Sequence, residues 1–269
     1  MLKQLISPAA TALADIFAGA RRYSLAAMLG WQDVRQRYRR SALGPLWLTI
    51  SMGVMIGTIG MVFGSIFKTP LFDFLPFLSV GIIFWGFISS VLTESCTGFI
   101  AAEGIIKQLP IPLFVHILRM MWRNVLILAH NFIIFPLVLL AVGRPLHLTM
   151  LVAIAGFGLQ LVNLLWLALL FALVCARYRD LTQIVTSALQ VVFYLTPIVW
   201  LPKALPSRSA LLLLNLNPVY HLLEIVRAPL LGELPSLVNW AYAGGLAAVG
   251  WSITIIVYGR YKRRVAYWL

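Results

Sequence analysis

The chain has 269 residues, 61% of them hydrophobic and 11% charged, with a mean hydropathy of +0.93. A water-soluble protein could not solvate that composition, and the length leaves no room for a separate soluble domain of ordinary size beside a membrane one. The formal net charge of +13 would suggest nucleic acid in a soluble protein. In a membrane protein the same charge is explained by Lys and Arg collecting on cytoplasmic loops, so no nucleic-acid partner is expected.

Residues 2–20 place Leu2, Leu5, Ile6, Ala9, Leu13, Ile16, Phe17 and Ala20 at spacings of three and four, an apolar stripe of helical period interrupted by Pro8. The stretch is too short and too polar to span a bilayer. It also lacks the apolar core and small-residue site of a cleavable signal. Residues 24–40 continue with Leu25, Met28, Leu29 and Trp31 and end in the basic run Asp33-Val-Arg-Gln-Arg-Tyr-Arg-Arg40. An apolar face beside Arg and aromatic residues predicts an amphipathic helix lying in the cytoplasmic interface. Gly44-Pro45 ends it, and Pro45 suits the first turn of the next helix.

Six stretches then carry no Lys, Arg, Asp or Glu: 41–67, 74–93, 124–143, 145–176, 181–202 and 234–259. About 20 apolar residues cross the roughly 30 Å hydrocarbon core, and backbone in lipid must bond to itself. The expected fold is therefore all-α and polytopic. Its six transmembrane helices are predicted near 46–67, 75–99, 113–142, 149–175, 182–201 and 237–258. Residues 1–45 form an N-terminal cytoplasmic or interfacial segment, 46–259 the membrane domain and 260–269 a basic cytoplasmic tail. With both termini cytoplasmic, 16 of the 21 Lys and Arg residues fall inside and five outside, which sets the orientation. The outer connection 202–236 is the longest, and its uncharged part 209–223 is too short to cross. Asn217 as cap and Pro218 in the first turn predict a short helix there, one of a re-entrant pair.

The search for catalytic chemistry is negative. No G-x-x-x-x-G-K-[ST], H-E-x-x-H or G-x-S-x-G occurs, so no phosphate-binding loop, metalloprotease site or nucleophile elbow is predicted. His116, His130, His147 and His221 form no cluster with acids, and no metal site is expected. Cys96 and Cys175 fall in or at the end of spans and read as apolar fillers. Glu94 is the one acid inside a span. An unpaired charge there costs at least about 2.5 kcal/mol, so Glu94 is expected to pair with Arg119 or Arg123. Aromatics within spans suit either lipid packing or stacking of sugar rings, whose C–H faces are apolar.

Five segments together resemble one family. They are Arg37-Tyr-Arg-Arg-Ser-Ala-Leu-Gly-Pro-Leu-Trp47, Lys107-Gln-Leu-Pro-Ile-Pro112, Arg177-Tyr-Arg-Asp180, Tyr194-Leu-Thr-Pro-Ile-Val199 and Asn217-Pro-Val-Tyr-His221. Over residues 30–265 the chain looks like the ABC-2 type permease subunit of exporters for O-antigen, capsule or teichoic-acid polysaccharide. The resemblance implies a homodimer in the bacterial inner membrane, with a pore between the two copies through spans 1 and 5. It implies two copies of a separate ATPase, which bind ATP and Mg. This chain would bind no cofactor and would not be an enzyme. The ATPase would dock on the coupling loop Ala101–Pro112, where Glu103, Gly104, Ile105, Ile106, Lys107, Gln108, Leu109 and Pro110 form the lever. An undecaprenyl-pyrophosphate-linked glycan would enter beside Trp31, Arg35, Arg37, Tyr38, Arg39, Arg40, Leu43 and Gly44. Trp47, Phe63, Phe87, Phe193, Tyr194 and Trp200 would line the pore, and Asn217, Pro218, Tyr220 and His221 would belong to an outer gate. The tail 260–269 would lie near the ATPase. Two alternatives stay open at this point: an ABC-2 permease for a drug or lipid, and an intramembrane glycosyl- or acyltransferase using Glu94 and Asp180.

Overall fold

The computed structural model describes residues 7–39, 44, 46–202 and 214–269, and among them there is helix and no strand. In chain order the helices are α1 (Pro8–Arg21), α2 (Tyr23–Arg37), α3 (Leu46–Phe67), α4 (Leu71–Cys96), α5 (Glu103–Gln108), α6 (Phe114–Phe132), α7 (Ile134–Val142), α8 (Val152–Arg177), α9 (Leu181–Leu195), α10 (Pro218–Leu230), α11 (Leu237–Tyr261) and α12 (Val265–Trp268). Five candidate spans are long and apolar enough to cross a membrane: α3, α4, the broken rod α6–α7, α8 with its leading turn from Leu148, and α11 with the tail to Trp268. The stretch expected to form span 5 is a 15-residue helix ending at Leu195. Pro197 follows, and the residue before a proline is pushed out of the helical region, so the helix stops at the preceding turn.

α4 is the centre of the bundle. Of its most apolar window 72% is buried inside the chain, against 17% for α3. α6, α7, α8 and α10 surround it, and α11 closes on α8. Within lipid, apolar contact alone drives little association, so small residues and polar links must hold helices together. Asn163 of α8 donates to the Ala243 carbonyl of α11 at 3.1 Å, and Gln160 donates to the Leu222 carbonyl of α10 at 3.1 Å. Gly156 lets α8 meet α10 backbone to backbone, because a Cβ there would overlap the Ile225 carbonyl.

The N-terminal segment departs from its prediction. Pro8 opens α1 rather than interrupting it, and Ser7 caps the helix by accepting from Ala10 N. Asp15, buried, accepts from the Leu113 and Phe114 amides at 3.3 and 3.0 Å and from the Tyr258 hydroxyl at 2.7 Å. Lys262 pairs with it at 2.7 Å. One carboxylate thus caps α6 and ties it to the last turn of α11. At Gly259 a side chain would overlap the Pro8 carbonyl, so α1 lies directly on that turn.

α2 packs on α6 through Ala26, Gly30 and Val34, while Met28 and Trp31, expected on its apolar face, point outward. The packed face is the one made of small residues.

Candidate functional site

Charged side chains gather where α2, the end of α4 and the first turns of α6 meet. Arg119 grips Asp33 with both Nε, at 2.7 Å, and Nη2. Arg123 bridges the two acids, donating from Nη1 to Asp33 at 3.1 Å and from Nη2 to Glu94 at 2.8 Å. Asn124 also donates to Glu94 at 2.6 Å, and Arg37 stands 3.8 Å from its other oxygen. Of the two partners expected for Glu94 it bonds Arg123, whereas Arg119 belongs to Asp33 of α2. Two arginines one turn apart on one face of α6 carry more charge than one carboxylate neutralises, which is why a second acid is drawn in. The cluster lines a polar cavity of ≈ 290 Å³ that also touches Thr97, Gly98, Ala101, Ala102 and His116. Both ring nitrogens of His116 are buried there without a hydrogen-bond partner.

From the floor of that cavity the chain passes through a 3-10 turn, Ile100–Ala102, into the short helix α5. Glu103 and Lys107 pair across one turn at 2.6 Å, and Lys107 holds the Glu103 carboxyl below its usual range. No residue of α5 is buried, and Leu109 is exposed beyond it. Ile106 alone turns back onto the core, and α5 touches α12 of the tail. Pro110 and Pro112 keep the exit non-helical before α6 begins. Gly104, Ile105 and Gln108 complete the exposed loop. On its other side Trp31 and Arg35 of α2, with Tyr38, Arg39 and Gly44 beyond its end, surround an open groove of ≈ 840 Å³. Arg40 and Leu43, predicted with them, lie outside the described residues.

A second candidate surface lies between α4 and α9. Trp85, Ser89 and Thr93 face Thr186, Gln190, Phe193 and Tyr194 across ≈ 540 Å³, and no charged side chain lines the space. Gln183, Thr186, Gln190 and Tyr194 recur at three and four, which puts them on one face of α9. Phe193 packs on Trp85 at 5.6 Å and on Tyr194 at 5.3 Å. Trp200 donates to the Tyr194 carbonyl at 3.1 Å. Trp47 is exposed at the start of α3, and Phe63 leans on Phe67 farther along it. Phe87 does not belong with this set: it is 4% exposed and packs on Phe157 inside the bundle.

α10 is fixed from several sides. Asn217 caps it through Val219 N and Tyr220 N and donates to Thr196 Oγ1 at 2.8 Å, with Pro218 in the first turn. His221 is buried between Asn239 Oδ1, at 2.8 Å, and the Asn215 carbonyl, at 3.1 Å, with Tyr220 against its edge and Tyr242 stacked on its face. Arg227, one of the five basic residues that the orientation puts outside, is 1% exposed. It pairs with Glu224 at 2.6 Å, donates to the Pro197 carbonyl at 2.5 Å and lies 4.2 Å over the Phe77 ring. The part of the predicted re-entrant pair before residue 214 lies outside the described residues.

Residues 25–231 match the family profile described as ABC-2 type transporter. The chain belongs to that family. ABC-2 chains are membrane components of transporters rather than enzymes. Three similar ABC-2 proteins carry the name O-antigen export system permease protein RfbA. Two are from Klebsiella pneumoniae, 23% identical over 253 residues and 22% over 248, each alignment covering 91% of this chain and 94% of the relative. The third, from Myxococcus xanthus, is 25% identical over 203 residues, 73% of this chain and 76% of its own. The family match begins inside α2, so α1 and its Asp15 node lie before the shared ABC-2 region.

Three charged residues that hold this ABC-2 fold together escape sequence reasoning: Asp15, Asp33 and Arg227. Each left a local sign. Asp15 sits on the apolar stripe of α1. Asp33 is the lone acid in a basic run. Arg227 follows Glu224 by three positions in an apolar stretch.

Proposed function

We propose that two copies of this chain form the membrane channel of an ATP-driven exporter for a lipid-linked polysaccharide of the O-antigen class. The observation that carries this reading is the similarity to O-antigen export permeases across 91% of the chain. The neutral hydroxyl-, amide- and aromatic-lined groove between α4 and α9 supports it, because such a surface suits uncharged polyhydroxylated sugars.

In this reading the chain crosses the bacterial inner membrane six times. α9 together with the segment through Trp200 makes the fifth crossing, and both termini are cytoplasmic. The basic end of the bundle, with α1, α2, α5 and α12, faces the cytoplasm, in keeping with the distribution of Lys and Arg. Residues 1–45 form the interfacial segment and 46–259 the membrane domain, followed by the tail 260–269. The undecaprenyl pyrophosphate of the substrate meets Trp31, Arg35, Arg37, Tyr38, Arg39, Arg40, Leu43 and Gly44, where guanidinium groups grip phosphate. A separate pair of ATPase subunits, holding ATP and Mg, docks on α5. Closure of the ATPase pair pushes α5, and the Arg119–Asp33–Arg123–Glu94 chain passes that movement from the end of α4 to α2 and α6. The sugar polymer then passes between the two copies along α3 and α9, with Trp47, Phe63, Phe193, Tyr194 and Trp200 facing it. Asn217, Pro218, Tyr220 and His221 frame its outer end. With α10 pinned as described, they act as a fixed frame.

Deleting the gene in its host tests the reading. Lipid-linked glycan accumulating on the cytoplasmic side, with none at the cell surface, is the expected result. Unchanged surface polysaccharide would instead favour export of a drug or lipid.

A further inference from the structure

α6 and α7 would be one straight rod but for the sequence Phe132-Ile-Ile-Phe-Pro136. Pro136 has no N–H to donate to the Phe132 carbonyl, and its ring crowds that turn, so the rod breaks at Ile133. Beside the break lies a groove of ≈ 440 Å³, bounded by α4, α6, α7, α8 and α10. Phe84 forms its floor, 6.1 Å from both Phe132 and Phe157. Ala129 and Leu230 stand in its walls, and every residue lining it is apolar. Water would find no partners there. The groove lies among spanning helices, so what fills it comes from the bilayer.

The rim adds a charge. Arg144 follows α7 and donates from Nη2 to the Leu231 carbonyl at 3.1 Å, next to the lining residue Leu230. Its guanidinium stands 5.7 Å over the Phe72 ring, and among the described residues no carboxylate pairs with it. An apolar groove with an arginine beside its lining residues Leu146 and Leu230 is complementary to a molecule with one hydrocarbon tail and one anionic head. We propose that this groove binds one membrane phospholipid per chain, an acyl chain lying on Phe84 and the phosphodiester at Arg144. Seated there, the lipid wedges α10 against α4. The site does not depend on what the exporter carries.

The test is native mass spectrometry of the protein purified from bacterial membranes, with phosphatidylglycerol as the titrated lipid. Ala129→Trp fills the groove and is expected to lose one bound phospholipid per chain. Leu140→Trp places the same side chain at a position 78% exposed and outside the groove, and is expected to keep it. Arg144→Gln is expected to weaken phosphatidylglycerol binding about tenfold, the worth of one charge-assisted hydrogen bond. Equal lipid retention by the two tryptophan variants overturns the proposal. Should Ala129→Trp fail to fold, a photoactivatable phosphatidylglycerol decides on the unmodified protein. Cross-links confined to Phe84 and to segments 125–139, 144–157 and 226–231 support the site, and cross-links only elsewhere remove it.

Discussion

α9 and α10 are neighbours in sequence, 15 and 13 residues long and both largely apolar, yet the bundle treats them oppositely. Nine residues of α10 are buried, and none of α9. α10 is held by its Asn217 cap, by His221 between Asn239 and the Asn215 carbonyl, by Gln160 on the Leu222 carbonyl and by Arg227 on Pro197. α9 rests on α4 and α8 with one edge and leaves Gln183, Thr186 and Gln190 unburied, the last two along the open groove it shares with α4. Amide and hydroxyl side chains facing hydrocarbon are expensive, so a helix of this kind is made to be covered by a second chain or by water. α10 completes the subunit, and α9 is the surface the subunit offers.

That contrast can be broken by mutation, and the expected effects scale with burial. Arg227→Ala has the largest, because it leaves Glu224 unpaired inside the bundle. About 3 kcal/mol of stability should be lost, toward the lower end for a buried pair since Glu224 keeps some solvent. Thermal unfolding of the detergent-purified protein reads it, and an unchanged midpoint would mean that α10 is held by something else. Asp15→Ala strips Lys262, Tyr258 and the first amides of α6 of a shared acceptor, and should cost about 1–3 kcal/mol. Protease cleavage within residues 7–22 should accelerate with it. Asn217→Ala removes a helix cap and should cost about 1 kcal/mol by the same unfolding assay. Gln190→Leu on α9 should shift subunit stability by less than about 0.5 kcal/mol, as surface changes do, while lowering export of surface polysaccharide. Export unchanged in that variant would take the α9 face out of the pathway.

The spans were legible because lipid permits so few solutions. Uncharged runs of sufficient length at 46–67 and 237–259 leave the backbone nothing but helix. Breaks inside a run were less legible. Pro136 and Pro197 were visible as residues, but which turn would open at Ile133 or Leu195 depends on neighbours that satisfy the freed carbonyls. At the charged junction, depth alone put Glu94 against Arg119 or Arg123 without choosing between them. Asp33 could not be paired, because its partner Arg119 is 86 positions away and meets it only once α2 lies down on α6. The same holds for Asp15 and Tyr258, 243 positions apart. Sequence spacing speaks for neighbours on one helix and is silent on contacts between distant ones. Phe87 shows the converse limit: its place in an aromatic-rich span said nothing about whether the ring faces inward.

The most direct test of the account is cross-linking across two copies in native membranes. Cys96 and Cys175, both buried, are first replaced by Ala or Ser. Single cysteines are then placed along the exposed faces of α3 and α9, at Val54, Met61, Ile184 and Val191, with Leu140 as a lipid-facing control. The account predicts disulfide-linked dimers on oxidation at α3 or α9 positions and none at Leu140. Monomer at all four positions, or equal cross-linking at Leu140, would contradict the assignment of α3 and α9 to the surface between two copies.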